Sequence, residues 1–128
     1  MALRDQLRIM VVDDMSTSRG LITQALDGFG IPNVATSSDG PGALKVLEKS
    51  PVHLVISDFN MPGMDGLQLL HHLRSTAKTK GVGFILITGK ADKAIIDKGR
   101  QLGMNNFLKK PFEPSDLRGC IEAVVGRL

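Results

Sequence analysis

The sequence predicts an α/β domain: a doubly wound (βα)5 fold built on a five-stranded parallel sheet. Three observations carry that prediction. Short apolar runs rich in β-branched residues recur five times along the 128 residues, and each is followed by a segment whose apolar residues keep helical spacing. Strands and helices alternating at these lengths imply parallel strands, right-handed crossovers and helices on both faces. Finally, polarity breaks out abruptly where the strands end, at Asp13 and Asp14, at Asp58, at Thr88 and at Lys110.

Ile9 to Val12 reads as the first buried strand, β-branched at three of its four positions. Ser16 or Thr17 can cap the helix that follows, in which Ile22, Ala25, Leu26 and Phe29 share one face until Gly28 and Gly30 stop it. Gly20 inside that helix costs about 1 kcal/mol relative to Ala, so a close contact is expected there. Val34 to Ser37 forms a short second strand. Gly40 to Lys49 is a helix with Ala43, Val46 and Leu47 inward, closed by Ser50 and Pro51.

Leu54 to Asp58 is the third strand, and after a loop punctuated by Pro62 and Gly63, a third helix shows Gly66, Leu69, Leu70 and Leu73 on one face. Phe84 to Thr88 is the fourth strand, preceded by the loose Lys80-Gly81-Val82-Gly83 segment and followed at once by Gly89. A weaker helix from about Ala91 to Leu102, interrupted by Gly99, leads to a short fifth strand, Asn106 to Lys109. Ser115 or Asp116 can open the last helix, with Leu117, Ile121, Val124, Val125 and Leu128 on one face.

At this length the chain is expected to be one domain, residues 1–128, with enough core to need no disulfide or metal staple. A hydrophobic fraction of 42% and a charged fraction of 23% are those of an ordinary soluble domain. The apolar runs are too short to span a bilayer, and the residues before Asp13 lack a secretory pattern, so a cytoplasmic address is expected. Cys120, the single cysteine, falls in a helical apolar pattern and reads as packing. The net charge of +3 is mild. Lys90, Lys93, Lys98 and Arg100 form a basic stretch with no interleaved aromatics, which argues for a solvated face and against nucleic acid.

In an open parallel sheet the carboxyl ends of the strands lie along one edge, beside the crevice where such folds bind ligands. In the flavodoxin-like order 2-1-3-4-5 the first and third strands are neighbours, about 4.8 Å apart, so Asp13, Asp14 and Asp58 converge. Two carboxylates about 4 Å apart repel by about 4 kcal/mol at an effective dielectric of 20, so such a cluster calls for a proton or a cation. An all-oxygen donor set without His or Cys suits a hard ion, Mg²⁺ above all. With the Thr88 hydroxyl and the Lys110 ammonium opposite, these are the parts needed to receive and stabilise a phosphoryl group.

The Asp13-Asp14 pair, the Asp58-Phe59-Asn60-Met61-Pro62-Gly63-Met64-Asp65-Gly66 segment, Thr88-Gly89 and Lys110-Pro111-Phe112 together resemble the receiver domain of bacterial two-component response regulators. The resemblance covers essentially the whole chain, and the strand order 2-1-3-4-5 comes with it. It implies Asp58 as phosphoacceptor, and Asp13, Asp14, Asp58 and the main-chain carbonyl of Asn60 as the Mg²⁺ pocket. It also implies Lys110 as phosphoryl contact, Thr88 as sensor of the modification and the Gly89 N–H as a further donor to the phosphoryl oxygens. Lys109 competes for the lysine role, but only Lys110 directly precedes proline, and in receivers that bond is typically cis. With no output domain expected, the chain is most similar to the stand-alone, CheY-like type, which implies not an enzyme but a phosphoacceptor whose own site assists phosphotransfer and autodephosphorylation.

The partners implied are a CheA-like histidine kinase as phosphodonor and a protein target, the flagellar motor switch being one candidate, with the domain itself a monomer. The chain departs from that type at two positions. Phe107 stands where a switching tyrosine is common, and Lys90 where an acid is common. A phosphate sink or adaptor in another pathway is the alternative role. A metal-dependent phosphohydrolase with an Asp nucleophile would need an acid at Asn60. His71 and His72 point about 100° apart on their helix and read as solvent-facing, and His53 has no paired ligand in view. Met61, Met64 and Met104 read as gap-filling packing, and Asp65 as the cap of the third helix.

Overall fold

The computed structural model of the protein describes residues 2–89 and 92–128. Five strands, β1 (Arg8–Val12), β2 (Asn33–Ser37), β3 (Leu54–Asp58), β4 (Gly83–Thr88) and β5 (Asn106–Lys109), form one parallel sheet in the order β2-β1-β3-β4-β5. Around them run α1 (Leu3–Gln6), α2 (Ser16–Gly28), α3 (Gly40–Lys49), α4 (Gly66–Arg74), α5 (Lys93–Gln101) and α6 (Pro114–Val125). The expected strands and helices are all present, and β3 and β5 keep their expected limits. Only the single turn α1 was not foreseen, since four residues are too few to show a period.

The sheet divides the interior into two cores, because successive strand residues face opposite sides. Ile9, Val11, Ile56, Ile85 and Ile87 meet α2 and α6 through Ile22, Leu26, Leu117 and Ile121. On the other face Met10, Val12, Val55, Phe84 and Leu86 meet Ala43, Leu47, Leu69, Leu70 and Leu73. Met61 and Met104 are buried in the second core and Met64 packs against it, as gap-fillers do. Cys120 is buried, and desolvation pushes its thiol pKa up to about 11. None of the described helices is long and apolar enough to cross a membrane.

Four local expectations are corrected. α2 begins at Ser16 with Met15 as its N-cap and no side-chain cap bond, so neither Ser16 nor Thr17 caps it. The Asp13 carboxylate takes over nearby, accepting from the Met15 N–H at 3.0 Å. A Cβ on Gly20 would meet nothing within 4 Å, so no close contact explains that glycine. Val46 is 38% exposed, leaving Ala43 and Leu47 as the buried face of α3. The last helix opens at Pro114, one turn position earlier than Ser115, and Asp116 serves it from inside by accepting from the Glu113 N–H at 2.9 Å. The Asp65 cap is present in full, with Gln68 donating its N–H to Asp65 Oδ1 and returning Oε1 to the Asp65 N–H. Lys90 and the expected helix start at Ala91 lie outside the described residues.

Gly66 shows how closely α4 is drawn under the sheet edge. Its N–H donates to the Phe59 carbonyl at 2.9 Å, and a Cβ there would lie 2.6 Å from the Asp58 carbonyl oxygen and 2.7 Å from Leu86 Cδ1. The backbone that follows Asp58 is therefore packed directly onto the start of α4. Gly66→Ala is expected to destabilise the fold by about 1 to 3 kcal/mol through overpacking, with chemical denaturation as the check and an unchanged midpoint as the contrary result.

Candidate functional site

The site forms at the carboxyl edge of β1, β3, β4 and β5, and the register explains why. Val12 pairs with Ser57, Asp58 with Ile87, and Thr88 with Lys109. One step past the last β1 pair, the chain brings Asp13 beside Asp58, and one step past β5 it brings Lys110 to the same edge. Lys110 is tied down by its N–H, which donates to the Thr88 carbonyl at 2.8 Å. The Lys110-Pro111 bond is cis. Lys109, the rival lysine, is exposed.

Carboxylate oxygens of Asp13, Asp14 and Asp58 all lie within 4.8 Å of one another. Asp13 is wholly buried, Asp58 is 7% exposed, and Asp14 faces solvent. The Lys110 ammonium stands 3.1 Å from Asp58 Oδ1 and 3.7 Å from Asp13 Oδ2. The longer contact is an ion pair without a hydrogen bond, so Asp13 Oδ2 is a buried oxygen with no hydrogen-bond partner. Asp13 Oδ1, by contrast, accepts from the Met15 N–H, and the Asp13 carbonyl accepts from Arg19 Nη1 at 2.7 Å.

Burial raises the Asp58 pKa above its ordinary value; Lys110 pulls it back, and Asp13 and Asp14 push it up further. The net direction is upward: among the described residues, Lys110 does not offset what burial and the two neighbouring acids cost the charged form. An orphaned buried oxygen in an all-carboxylate set is what a hard divalent cation satisfies, so Asp13, Asp14 and Asp58 fit such an ion. Among the described residues no other group of His, Cys, Asp and Glu offers a metal site.

The remaining expected residues fall around this centre. Thr88 ends β4 and is 2% exposed. Gly89 follows it at the surface, and Asn60 lies in the exposed loop two residues past Asp58. Phe107 is half-buried in β5, its ring packed against the second core and its centroid 5.9 Å from the Arg100 guanidinium carbon. His71 and His72 are exposed, with ring planes 67° apart. His53 is also exposed, and its Nδ1 accepts from the Arg8 N–H at 3.0 Å. Two participants were not foreseen: Arg19, which clamps the Asp13 backbone, and Ser18, whose Oγ accepts from Lys110 Nζ at 3.0 Å. Both sit on α2 with ordinary helix spacing, and nothing in the sequence distinguishes them from surface residues.

Comparison with known proteins gives a consistent picture. The response regulator receiver domain family matches residues 9–122. The probable chemotaxis protein CheY of Rhizobium etli is 41% identical over all of this chain and 99% of its own length. The chemotaxis protein CheY-3 of Vibrio cholerae is 33% identical over 98% of this chain and 97% of its own. Among solved structures, Vibrio cholerae CheY4 superposes with a TM-score of 0.88 at 28% identity, covering 93% of this chain and 98% of that one. With this fold, this carboxylate cluster and these relatives, the chain belongs to the response regulator receiver domains, the phosphorylation-activated signalling proteins of two-component systems.

Proposed function

We propose that Asp58 accepts a phosphoryl group from the phosphohistidine of a CheA-like sensor kinase, and that the modified protein changes its affinity for a target in chemotaxis signalling, the flagellar motor switch being the first candidate. The observation that carries this reading is the Lys110 ammonium 3.1 Å from Asp58 Oδ1, with the carboxylates of Asp13 and Asp14 beside it. The full-length similarity to chemotaxis proteins named CheY supports the pathway. The domain works as a cytoplasmic monomer in this reading.

An Asp58 carboxylate oxygen attacks phosphorus. The phosphorus–nitrogen bond to the donor imidazole breaks, its electron pair stays on nitrogen, and an acyl phosphate forms. Lys110 meets the phosphoryl oxygens with its ammonium, and the Gly89 N–H donates to them. Asp13, Asp14, Asp58 and the main-chain carbonyl of Asn60 would hold Mg²⁺, which when bound supplies positive charge to the transferring oxygens. Hydrolysis of the acyl phosphate at the same site returns the protein to rest. The Thr88 hydroxyl turns toward the new acceptor oxygens, and Phe107 fills the space vacated beneath α5. Phosphorylation shifts this equilibrium only by its differential affinity for the two arrangements.

Incubation with acetyl phosphate and Mg²⁺ followed by intact mass is the direct test. Wild type is expected to gain one phosphate and Asp58→Asn none; comparable labelling of that variant on Asp13 or Asp14 would overturn the assignment. Chelator should abolish the reaction.

The raised pKa of Asp58 gives a second test, with its sign fixed by linkage. Between the ordinary carboxylate pKa and the higher folded value, the folded protein holds a proton that the unfolded chain has released. Stability therefore falls as pH rises through that window. In chelator at neutral pH, Asp58→Asn is expected to be more stable than wild type, the gain disappearing below the ordinary carboxylate range. Adding Mg²⁺ to a hundred times its Kd should stabilise wild type by about 2.7 kcal/mol, and the variant by less. Urea melts across pH, with and without Mg²⁺, read both effects.

A third expectation concerns output. Thr88→Ala should still be phosphorylated but bind its target with little dependence on phosphorylation. Amide exchange before and after phosphorylation should report changes from 92 to 112, and silence there would remove α5 and β5 from the signalling route.

A further inference from the structure

The Lys110 ammonium has three neighbours, two within hydrogen-bond distance and one in an ion pair alone, and two of the three take part in the charge changes at Asp58. Asp58 Oδ1 at 3.1 Å belongs to the reacting carboxylate, and Asp13 Oδ2 at 3.7 Å belongs to the acidic pocket beside it. The third is a neutral acceptor on another element, Ser18 Oγ at 3.0 Å, the third residue of α2. A lysine stem has about 2 kcal/mol of rotamer entropy to lose, and its compact ammonium is otherwise drawn to water. An acceptor fixed on a helix reduces that freedom without neutralising the charge. When Asp58 becomes an acyl phosphate, its contact with Lys110 has to be remade to new oxygens. The contact with Ser18 involves no atom that reacts.

We infer that Ser18 is a positioning residue: its hydroxyl holds the Lys110 ammonium at Asp58, so that the charge is already in place when the phosphoryl group arrives. The inference rests on the reading of Asp58 as phosphoacceptor. Ser18 is half-buried and lines a cavity of about 560 Å³ between α2 and the segment after β5, together with Lys110 and Pro111. Removing its hydroxyl therefore leaves the packing intact, and a methyl group added beside it has room.

The experiment measures the second-order rate of phosphorylation by acetyl phosphate with Mg²⁺, at subsaturating donor. Ser18→Ala is expected to react about three- to tenfold more slowly, the scale of one net hydrogen bond. Ser18→Thr, which keeps the hydroxyl, should restore the rate to within about twofold of wild type. In a Lys110→Ala background the Ser18→Ala change should have no further effect, because the hydroxyl acts only through the ammonium. A Ser18→Ala rate equal to wild type overturns the proposal, and so does an equal loss with and without Lys110, which would mark a role in α2 alone. Wild type that gains no phosphate sinks the reading of Asp58 and this proposal together, a pattern distinct from either.

Discussion

Among the described residues, three carboxylates are gathered at one edge of the sheet against the ammonium of Lys110, and the rest of the site is arranged around that imbalance. Parallel pairing of β1 with β3 sets the residues just past Val12 beside Asp58, and the strand spacing leaves the acids no room to separate. At an effective dielectric of 20, each like-charged pair about 4 Å apart costs about 4 kcal/mol. The protein offsets part of this with Lys110, and its main chain contributes the Met15 N–H to Asp13 Oδ1. Asp13 Oδ2 is left buried without a hydrogen bond, and the Asp58 pKa is pushed up, by burial first and by Asp13 and Asp14 in addition. A pocket left short of positive charge is one that gains when a cation enters, and the phosphoryl group increases that need by adding a charge of about −1.5 to −2.

Holding such a pocket open requires a rigid frame. Every residue of β3 is buried and so are four of the five in β1, so the strands bearing the acids are fixed from both faces. Each fully buried Leu or Ile in the cores contributes about 1.5 to 3 kcal/mol relative to exposure, and α4 alone buries Leu69, Leu70 and Leu73. Gly66 then draws the loop after Asp58 tight against α4, leaving the carboxylate little latitude. The electrostatic cost of the site is thus borne by apolar packing on either side of the sheet, to which none of the three acids contributes.

The same division explains what could be read from the sequence. Strands are legible because their apolar runs are dense and their ends are marked by a change of polarity; β3 and β5 were bounded correctly for that reason. The acids, Thr88 and Lys110 stand out because charge or hydroxyl at a buried strand end is conspicuous. Helix starts were less legible: Ser16, Thr17 and Ser115 are good capping types, but Asp13 and Asp116 supply the bonds seen near those ends. Val46 follows the apolar period of α3 and is nevertheless exposed, since periodicity gives a face but not how far the neighbouring elements cover it. Ser18 and Arg19 were illegible for a different reason. Their importance comes from reaching Lys110 and the Asp13 backbone across the edge of the fold, a relation that exists only once β1 and β5 have been placed.

The helices also differ in how firmly they are held, and this bears on where a signal can leave. α4 is anchored by three fully buried leucines, whereas in α5 the only buried residue is Gly99 and Ile95 and Ile96 are half-covered. A Cβ on Gly99 would come within 2.7 Å of Met104 Sδ, so the helix approaches the core through a residue with no side chain to lock it there. Its link to β5 is the Arg100 guanidinium above the Phe107 ring, a contact worth about 0.5 to 1 kcal/mol at an exposed site. An element whose described hold is two half-buried isoleucines, the close approach of Gly99 and a cation–π contact to a half-buried ring moves for less free energy than the fully buried strand β3. Thr88 ends the strand beside β5 and its carbonyl accepts from the Lys110 N–H, so the residue proposed as sensor and the lysine of the site are joined by one backbone hydrogen bond at the β4–β5 edge, to which α5 leads. The rigid half of the domain holds the charge, and the half that can respond lies next to it.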